Sequence, residues 1–338
     1  QSYIGIDPKL YSFLLHPIFL SATSPKKSPA KKPNGGILLL SLSVENKHRG
    51  DGAGKGFAFA PLMCLQLHYN MVAPRASILL VYTGGTIGML ENPETGALEP
   101  LDFNYLQDNV PELRLLGCDI SSVEFQPPLD SSAITTEHWV QLARVIEENY
   151  DKYDGFVILH GTDTMAYTAS ALSFVFEGLA KPIVFTGSQL PVGKLRTDGK
   201  ENLITAIEIA AARDEAGRPR VPEVSLFFEN YLMRGNRTSK ISADQFSAFE
   251  SYNYPHLAYA GIEIRYHDAV IANAHVGRTL SVRPYFDPHV AVLKLFPGIT
   301  REVVDAVLSV PSLRGVVMET FGSGNAPMMP WFLDALRA

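Results

Sequence analysis

Two short stretches of this chain combine hydroxyl side chains with glycine in a pattern that could do chemistry. The first is Thr83-Gly84-Gly85-Thr86-Ile87-Gly88 and the second is His160-Gly161-Thr162-Asp163-Thr164-Met165. Each follows directly on a short apolar run with β-branched residues, 77–82 in one case and 155–159 in the other. An apolar run of that length emptying into Gly and Thr reads as a buried strand ending in a loop. After the second loop an apolar pattern resumes at helical spacing over 165–179, so Thr162 and Asp163 fall on a strand-to-helix turn. In open α/β sheets such turns line the ligand crevice at the carboxyl ends of the strands. Thr86, Thr162 and Asp163 stand on two such turns, and Lys240 ends the stretch Arg234-Gly235-Asn236-Arg237-Thr238-Ser239-Lys240. Together they point to hydroxyl nucleophile chemistry.

The elements that must position these groups alternate along the chain. A strand is expected at 123–125, ending at Pro127-Pro128 and followed by Asp130-Ser131-Ser132. Trp139, Leu142, Ala143, Ile146 and Tyr150 mark the core face of an amphipathic helix capped by Thr135 or Thr136. Then come a strand at 156–159, a helix over 165–179, a strand at 182–186, a helix over 201–213 and a strand at 224–228. Strands alternating with helices predict a mainly parallel sheet covered on both faces. The stretch 91–100 is polar and carries Pro and Gly, which predicts a mobile loop. Periodicity is lost over 266–289, which reads as a linker. A strand at 290–296, a helix at 300–308 and a strand at 315–318 then open a second α/β unit, with a last helix at 331–338.

Composition narrows the function classes. A chain of 338 residues with 46% hydrophobic side chains can bury one or two substantial cores. Its two cysteines, Cys64 and Cys118, leave no room for a disulfide framework and fit a reducing, cytoplasmic compartment. No paired Cys or His stand at ligand spacing, so no metal site is expected. The net charge of −6 is unevenly spread: residues 1–75 hold nine Lys/Arg and three Asp/Glu. The remainder carries 20 basic against 32 acidic groups, a net of −12, which disfavours a nucleic-acid surface there. No apolar run approaches the roughly 18 residues that a membrane span needs.

Residues 1–70 read differently from the rest. The apolar stretch at 11–20 is preceded only by Lys9, too little for the positive start of a signal peptide. A Lys/Pro/Ser stretch at 24–33 cannot bury a core and is expected to be disordered. An isolated strand is expected at 35–44. The glycines at 50–56 do not keep phosphate-loop spacing, and Gly56 stands where a metal-binding Ser or Thr belongs. Met71 just precedes the first strand, so the segment before it is expected to be an extension or a misplaced start.

The two loops resemble the signature loops of the L-asparaginases, and the surrounding sequence is similar to the cytoplasmic, type I branch. Asp130-Ser131-Ser132, Thr186-Gly187-Ser188-Gln189, Arg234 to Lys240 and Gly322-Ser323-Gly324-Asn325-Ala326-Pro327 follow in the order of that branch. The match runs from Ala76 to the end of the chain. It implies a non-matching extension over 1–75, an N-terminal domain over 76–265, a linker over 266–289 and a partial C-terminal domain over 290–338. The fold implied is a three-layer, flavodoxin-like α/β domain with a parallel sheet, followed by a smaller, truncated α/β domain.

The same resemblance assigns roles. Thr86 would attack the side-chain amide carbon of L-asparagine and form an acyl-enzyme, releasing ammonia and then L-aspartate. Thr162, Asp163 and Lys240 would form the second catalytic group, with Lys240 making the Thr162 hydroxyl a proton relay. A lysine can do this when burial favours its neutral form. Backbone N–H groups at the two Gly-rich turns would serve the oxyanion. Asp130, Ser131, Thr162 and Asp163 would hold the substrate's α-groups, and Asn325 would complete the site of a neighbouring subunit. No cofactor and no metal are implied, and the assembly implied is a homodimer or homotetramer if the shortened C-terminal domain permits. This chain departs from the family pattern in several places. Ala133-Ile134 follow Ser132 where Asp-Met is common, Ala97 aligns with a helping tyrosine (Tyr105 lies nearby), Ser239 precedes Lys240, and Glu319 replaces an Arg tied to allostery.

Three other readings compete: an amidohydrolase of glutamine or misacylated tRNA, an inactive amino-acid-binding relative, and a nucleotide-binding module built on residues 83–88. His160, between a buried strand and a glycine, is expected to be a packed imidazole rather than a base, and Arg234 and Arg237 are expected to be structural.

Overall fold

The computed structural model describes residues 75–91, 98–100, 110–273 and 277–338. In chain order the strands are β1 (Ala76–Gly84), β2 (Met89–Glu91), β3 (Leu98–Pro100), β4 (Cys118–Leu129) and β5 (Gly155–Leu159). They continue with β6 (Phe176–Glu177), β7 (Ile183–Thr186), β8 (Val224–Phe228), β9 (Tyr231–Arg234), β10 (Ser239–Lys240) and β11 (Phe249–Glu250). The last are β12 (Ala258–Ala260), β13 (Ile264–Tyr266), β14 (Ser281–Val282), β15 (Val290–Lys294) and β16 (Gly315–Glu319). The helices are α1 (Thr136–Asn149), α2 (Met165–Leu172), α3 (Gly199–Ala211), α4 (Arg301–Leu308) and α5 (Pro330–Arg337).

Near-continuous apolar runs in β1, β5, β7 and β8 mean that both faces of their sheet must be covered. Period-two alternation decides which side chain goes to which face. Leu79, Val81, Phe156, Ile158, Ile183, Phe185, Leu226 and Phe228 point to one core with Leu142 and Ile146 of α1 and Met165 and Leu172 of α2. Ile78, Leu80, Val157, Leu159, Val184 and Phe227 point to the other, against Leu203, Ala206 and Ile207 of α3. The result is a three-layer sandwich.

The eight-stranded sheet has the order β13-β12-β9-β8-β7-β5-β1-β4. Its strands β4, β1, β5, β7 and β8 are all parallel. Among those five the order is second-first-third-fourth-fifth, the flavodoxin-like winding, which reverses direction between β1 and β5. The loops that leave these two strands are the two Gly/Thr stretches, so topology alone puts Thr86 and Thr162 at the crevice.

Several elements differ from expectation. The strand expected at 123–125 is 12 residues long and begins at Cys118. The helix expected over 165–179 stops at Leu172. Ser173, at the end of the helix, donates its hydroxyl to the Ala169 carbonyl, and Gly178, at φ +79, turns the chain after the short strand that follows. The apolar residues beyond serve a short strand instead: Phe176 and Glu177 pair with Val282 and Ser281. Apolar spacing cannot separate that case from a longer helix. Beyond β8 the sheet continues through the antiparallel β9, β12 and β13.

The β15–β16 pair is parallel and packs with α4 and α5 around a separate small core of Leu293, Leu295, Ile299, Val304 and Phe332. Among the described residues no helix is long and apolar enough to cross a membrane. The expectations for residues 1–70, the 92–97 part of the predicted loop, Ala97 and Tyr105 lie outside the described residues.

Candidate active site

β1 ends at Gly84 and Gly85 follows it, at φ +130 and +92. A Cβ on Gly85 would fall 2.4 Å from both Cα and N of Gly161. The two loops therefore touch backbone to backbone, an approach that only glycine admits. Thr86 opens a 3-10 turn, Thr86–Gly88, whose Gly88 carbonyl accepts the Tyr82 hydroxyl at 2.8 Å. Burial, and secondarily the Glu124 carboxylate, raise the Tyr82 phenol well above its usual range, so it stays a neutral donor. Thr83 binds the two strand ends together by donating to the Leu159 carbonyl at 2.9 Å.

The second loop is gripped from both sides. A Cβ on Gly161 would meet Ser131 Oγ at 2.6 Å, and Thr164 donates to the Ser131 carbonyl at 2.7 Å. Ser131 is buried by this packing. Asp130, by contrast, is exposed and accepts the Ser132 N–H at 2.9 Å, which holds its carboxyl below the usual range. His160 is 1% exposed, with Nε2 2.9 Å from Thr168 Oγ1 and Nδ1 2.7 Å from the Gly161 carbonyl oxygen. Burial pushes its imidazole down to about 4, so it is a neutral, packed ring, as expected.

Lys240 arrives from a different direction. Its Nζ donates to Thr162 Oγ1 at 2.9 Å and to Asp163 Oδ1 at 2.8 Å. The lysine side chain is 17% exposed and the aspartate 65%, so the pair straddles the protein surface. Backbone pairing of Lys240 with Phe249 fixes its height, and the Phe249 ring packs on Phe228 at 4.9 Å between centroids. The preceding turn is anchored by Arg234, which pairs with the buried Glu223 and donates to the Val270 carbonyl at 2.9 Å. Arg234 is thus structural, as expected, and Arg237 faces the Tyr254 ring at 6.0 Å.

Gln189 is a site residue not singled out from the sequence. It accepts the Thr162 hydroxyl at 3.3 Å through Oε1. Its own position comes from Asp198, whose carboxylate accepts the Gln189 N–H at 2.9 Å and the Leu190 N–H at 3.1 Å. Asn202, fully buried, donates to the Gly187 carbonyl at 3.0 Å and accepts the Glu229 N–H at 2.8 Å. Two sequence signals point to Gln189: the strand at 182–186 empties into Gly-Ser-Gln, the same strand-to-loop pattern as the other two stretches, and Thr186-Gly187-Ser188-Gln189 is among the motifs that resemble the family.

Five chain segments thus converge: the Gly84-Gly85 turn that leads into Thr86, Ser131, Thr162 with Asp163, Gln189, and Lys240. A cavity of about 610 Å3, lined by Asp163, Tyr167, Ser170, Lys240 and Ile241 among others, opens beside the Lys240–Asp163 pair. Asn325 is apart, in the turn after β16, where its described side-chain hydrogen bond goes to Ser323 at 3.2 Å. Among the described residues no group of three or more His, Cys, Asp or Glu could hold a metal ion.

The glycine contact carries a measurable consequence. Replacing Gly85 by alanine is expected to destabilise the protein by about 2–4 kcal/mol in urea unfolding, combining backbone overpacking with a strained positive φ. Gly217 has φ +75 and open space, with nothing within 4 Å of where a Cβ would stand. Its alanine variant isolates the φ cost, about 1–2 kcal/mol. Equal losses in the two variants would show that the Gly85–Gly161 approach matters little.

Residues 77–272 match the family model described as Asparaginase, N-terminal. The chain is 43% identical to L-asparaginase 1 of Escherichia coli K12 over 268 residues, covering 78% of this chain and 76% of that protein. It is also 43% identical over 289 residues to a mouse protein named 60 kDa lysophospholipase, covering 79% of this chain and 50% of that protein. The match therefore spans about half the length of the mouse relative. In structure it resembles L-asparaginase I of Vibrio cholerae, with a TM-score of 0.70 and 43% identity over 78% of this chain and 77% of the other.

Proposed function

The chain belongs to the asparaginase family, and from that premise we propose that it hydrolyses L-asparagine to L-aspartate and ammonia through an acyl-threonine. The observation that carries this reading is the hydrogen-bonded set Thr162–Lys240–Asp163 beside the Gly85–Gly161 contact. A hydroxyl attacks an amide only if its proton is removed and the oxyanion is stabilised.

In the proposed reaction Thr86 Oγ adds to the side-chain amide carbon, and its proton passes towards Thr162 and Lys240. Backbone N–H groups of the two Gly-rich turns face the oxyanion. Collapse of the tetrahedral adduct breaks the C–N bond, and the nitrogen leaves as ammonia with a proton returned from the relay. Water then cleaves the ester and regenerates Thr86. Ser131, Asp130 and Asp163 bind the α-amino and α-carboxylate groups in this scheme. The exposed carboxylates of Asp130 and Asp163 support it.

The reading extends to domain roles and setting. Residues 76–265 form the catalytic domain, with the family-model match over 77–272 in support, 266–289 the linker and 290–338 a second α/β unit. Asn325 acts on a neighbouring copy in a homodimer or homotetramer. The buried free thiol of Cys118 fits a cytoplasmic location.

The test is ammonia release by the purified chain on L-asparagine and on L-glutamine, with fatty-acid release from a lysophospholipid as a third arm. Ammonia from L-asparagine at least tenfold faster than from L-glutamine is the expected result. No ammonia from either amide by folded protein, or fatty-acid release alone, would overturn the reading.

A further inference from the structure

Hydrogen-bond polarity around Thr162 can be read without seeing a proton. The Gln245 main-chain carbonyl is an acceptor only, and Gln189 Nε2 lies 3.0 Å from it. That contact turns the Gln189 amide so that Oε1, also only an acceptor, faces Thr162 Oγ1 at 3.3 Å. The Thr162 hydroxyl must then donate to Gln189. Its remaining contact, at 2.9 Å to Lys240 Nζ, can only be one in which the lysine donates. The directions run from Lys240 through Thr162 and Gln189 to Gln245 with no choice left.

We propose that Gln189 is a positioning residue that fixes the direction of the Thr162 hydroxyl, with the Gln245 carbonyl fixing Gln189 in turn. The inference rests on the amidohydrolase reading for its kinetic consequence, but not for its geometry. Thr162 has three local constraints: Gln189 accepts its proton, Lys240 donates to its oxygen, and its γ-methyl lies beside Gly187, 3.6 Å from where a Cβ would stand. Gln189 is held independently of Thr162, through its N–H on Asp198 and its amide on Gln245. A rigid support of this kind keeps a reacting hydroxyl near its productive geometry. The contacts with Gln189 and Lys240 use one lone pair and the proton of the hydroxyl, which leaves one lone pair able to accept a proton from the nucleophile or from water. Transfer onward to Lys240 requires the hydroxyl to turn off Gln189, and at 3.3 Å that bond is long and easily left. Gln245 sits between β10 and β11, in the segment that carries Lys240, so the loop that delivers the lysine also sets the orientation of its partner.

The test uses Gln189→Met, which keeps the side-chain length and removes both hydrogen bonds, on the wild-type and Thr162→Ala backgrounds. On the wild type, kcat for L-asparagine is expected to fall about tenfold, the loss of one aligned hydrogen bond. KM should change less than about twofold. On Thr162→Ala the same substitution should cost nothing further, because its effect acts through the hydroxyl. Equal losses on both backgrounds, a change confined to KM, or no loss at all would overturn the proposal. A readout independent of turnover is the Thr162 hydroxyl proton itself, located by neutron diffraction. A proton directed at Gln189 Oε1 in the wild type and turned elsewhere in Gln189→Met is the expected pattern, and a wild-type proton directed away from Gln189, or the same direction in both proteins, would overturn it. If the wild type releases no ammonia, the amidohydrolase reading falls, while the proton position still decides the role of Gln189.

Discussion

Thr162→Ala is expected to lower ammonia release from L-asparagine by about 10²–10⁴-fold, the range for losing a proton-transfer group. The cause is local. Thr162 Oγ1 is the one atom that joins Lys240 to Gln189, at 2.9 and 3.3 Å. Without it the lysine keeps its contact with Asp163 but no longer addresses the reaction space. Folding should be little affected: Gln189 retains Gln245 as acceptor, and Lys240 is still ion-paired. A denaturation midpoint within about 3 °C of wild type, beside the kinetic loss, is the diagnostic pair of results. Full activity in a variant that is folded would remove Thr162 from the reaction.

Lys240→Met is expected to produce a loss of similar size, about 10²–10⁴-fold in kcat, because the relay ends at its amine. The stability outcome separates this from an ordinary broken ion pair. Asp163 is 65% exposed, so water replaces the lost partner, and an exposed pair of this kind contributes only about 0–1 kcal/mol. Methionine keeps the length of the lysine stem, and the backbone pairing of position 240 with Phe249 does not depend on the side chain. Combining Lys240→Met with Thr162→Ala should cost no more than either alone, since groups acting as a unit are strongly non-additive. Additive losses, measured as kcat on L-asparagine, would mean that the two residues act on different steps.

How much of the fold is legible in the sequence depends on the physical length of each signal. The strand at 224–228 forms as expected, and the helix expected over 201–213 runs Gly199–Ala211. The strand is apolar and buried on both faces, and the helix buries one regular apolar face that includes Leu203, Ala206, Ile207 and Ala210. Apolar spacing overextends α2 because Phe176 is as apolar as a helix residue, yet its partner, Val282, lies more than a hundred positions away. Strands β9, β12 and β13 have no comparable signal. They are two to four hydrogen-bonded rungs long, and their pairing is a property of the sheet edge rather than of any one segment.

The site divides along the same line. Residue types and order pointed to Thr86, Thr162 and Asp163 as candidates, because a strand emptying into Gly and Thr has a local signature, whereas the role of Lys240 came from the resemblance of Arg234 to Lys240 to the family. The mainly parallel sheet also followed from the alternation of strands and helices. What only the tertiary structure decided is which of these groups meet. That Gly85 rests on Gly161, that Ser131 is buried against the second loop while Asp130 stays in water, and that Gln189 accepts from Thr162 are all contacts between distant segments. Lys240 and Thr162 are 78 positions apart, and no periodicity encodes a 2.9 Å hydrogen bond over that distance. The sequence specifies the groups through local pattern, whereas their geometry is set by how the strand ends are stacked side by side, which only the folded sheet determines.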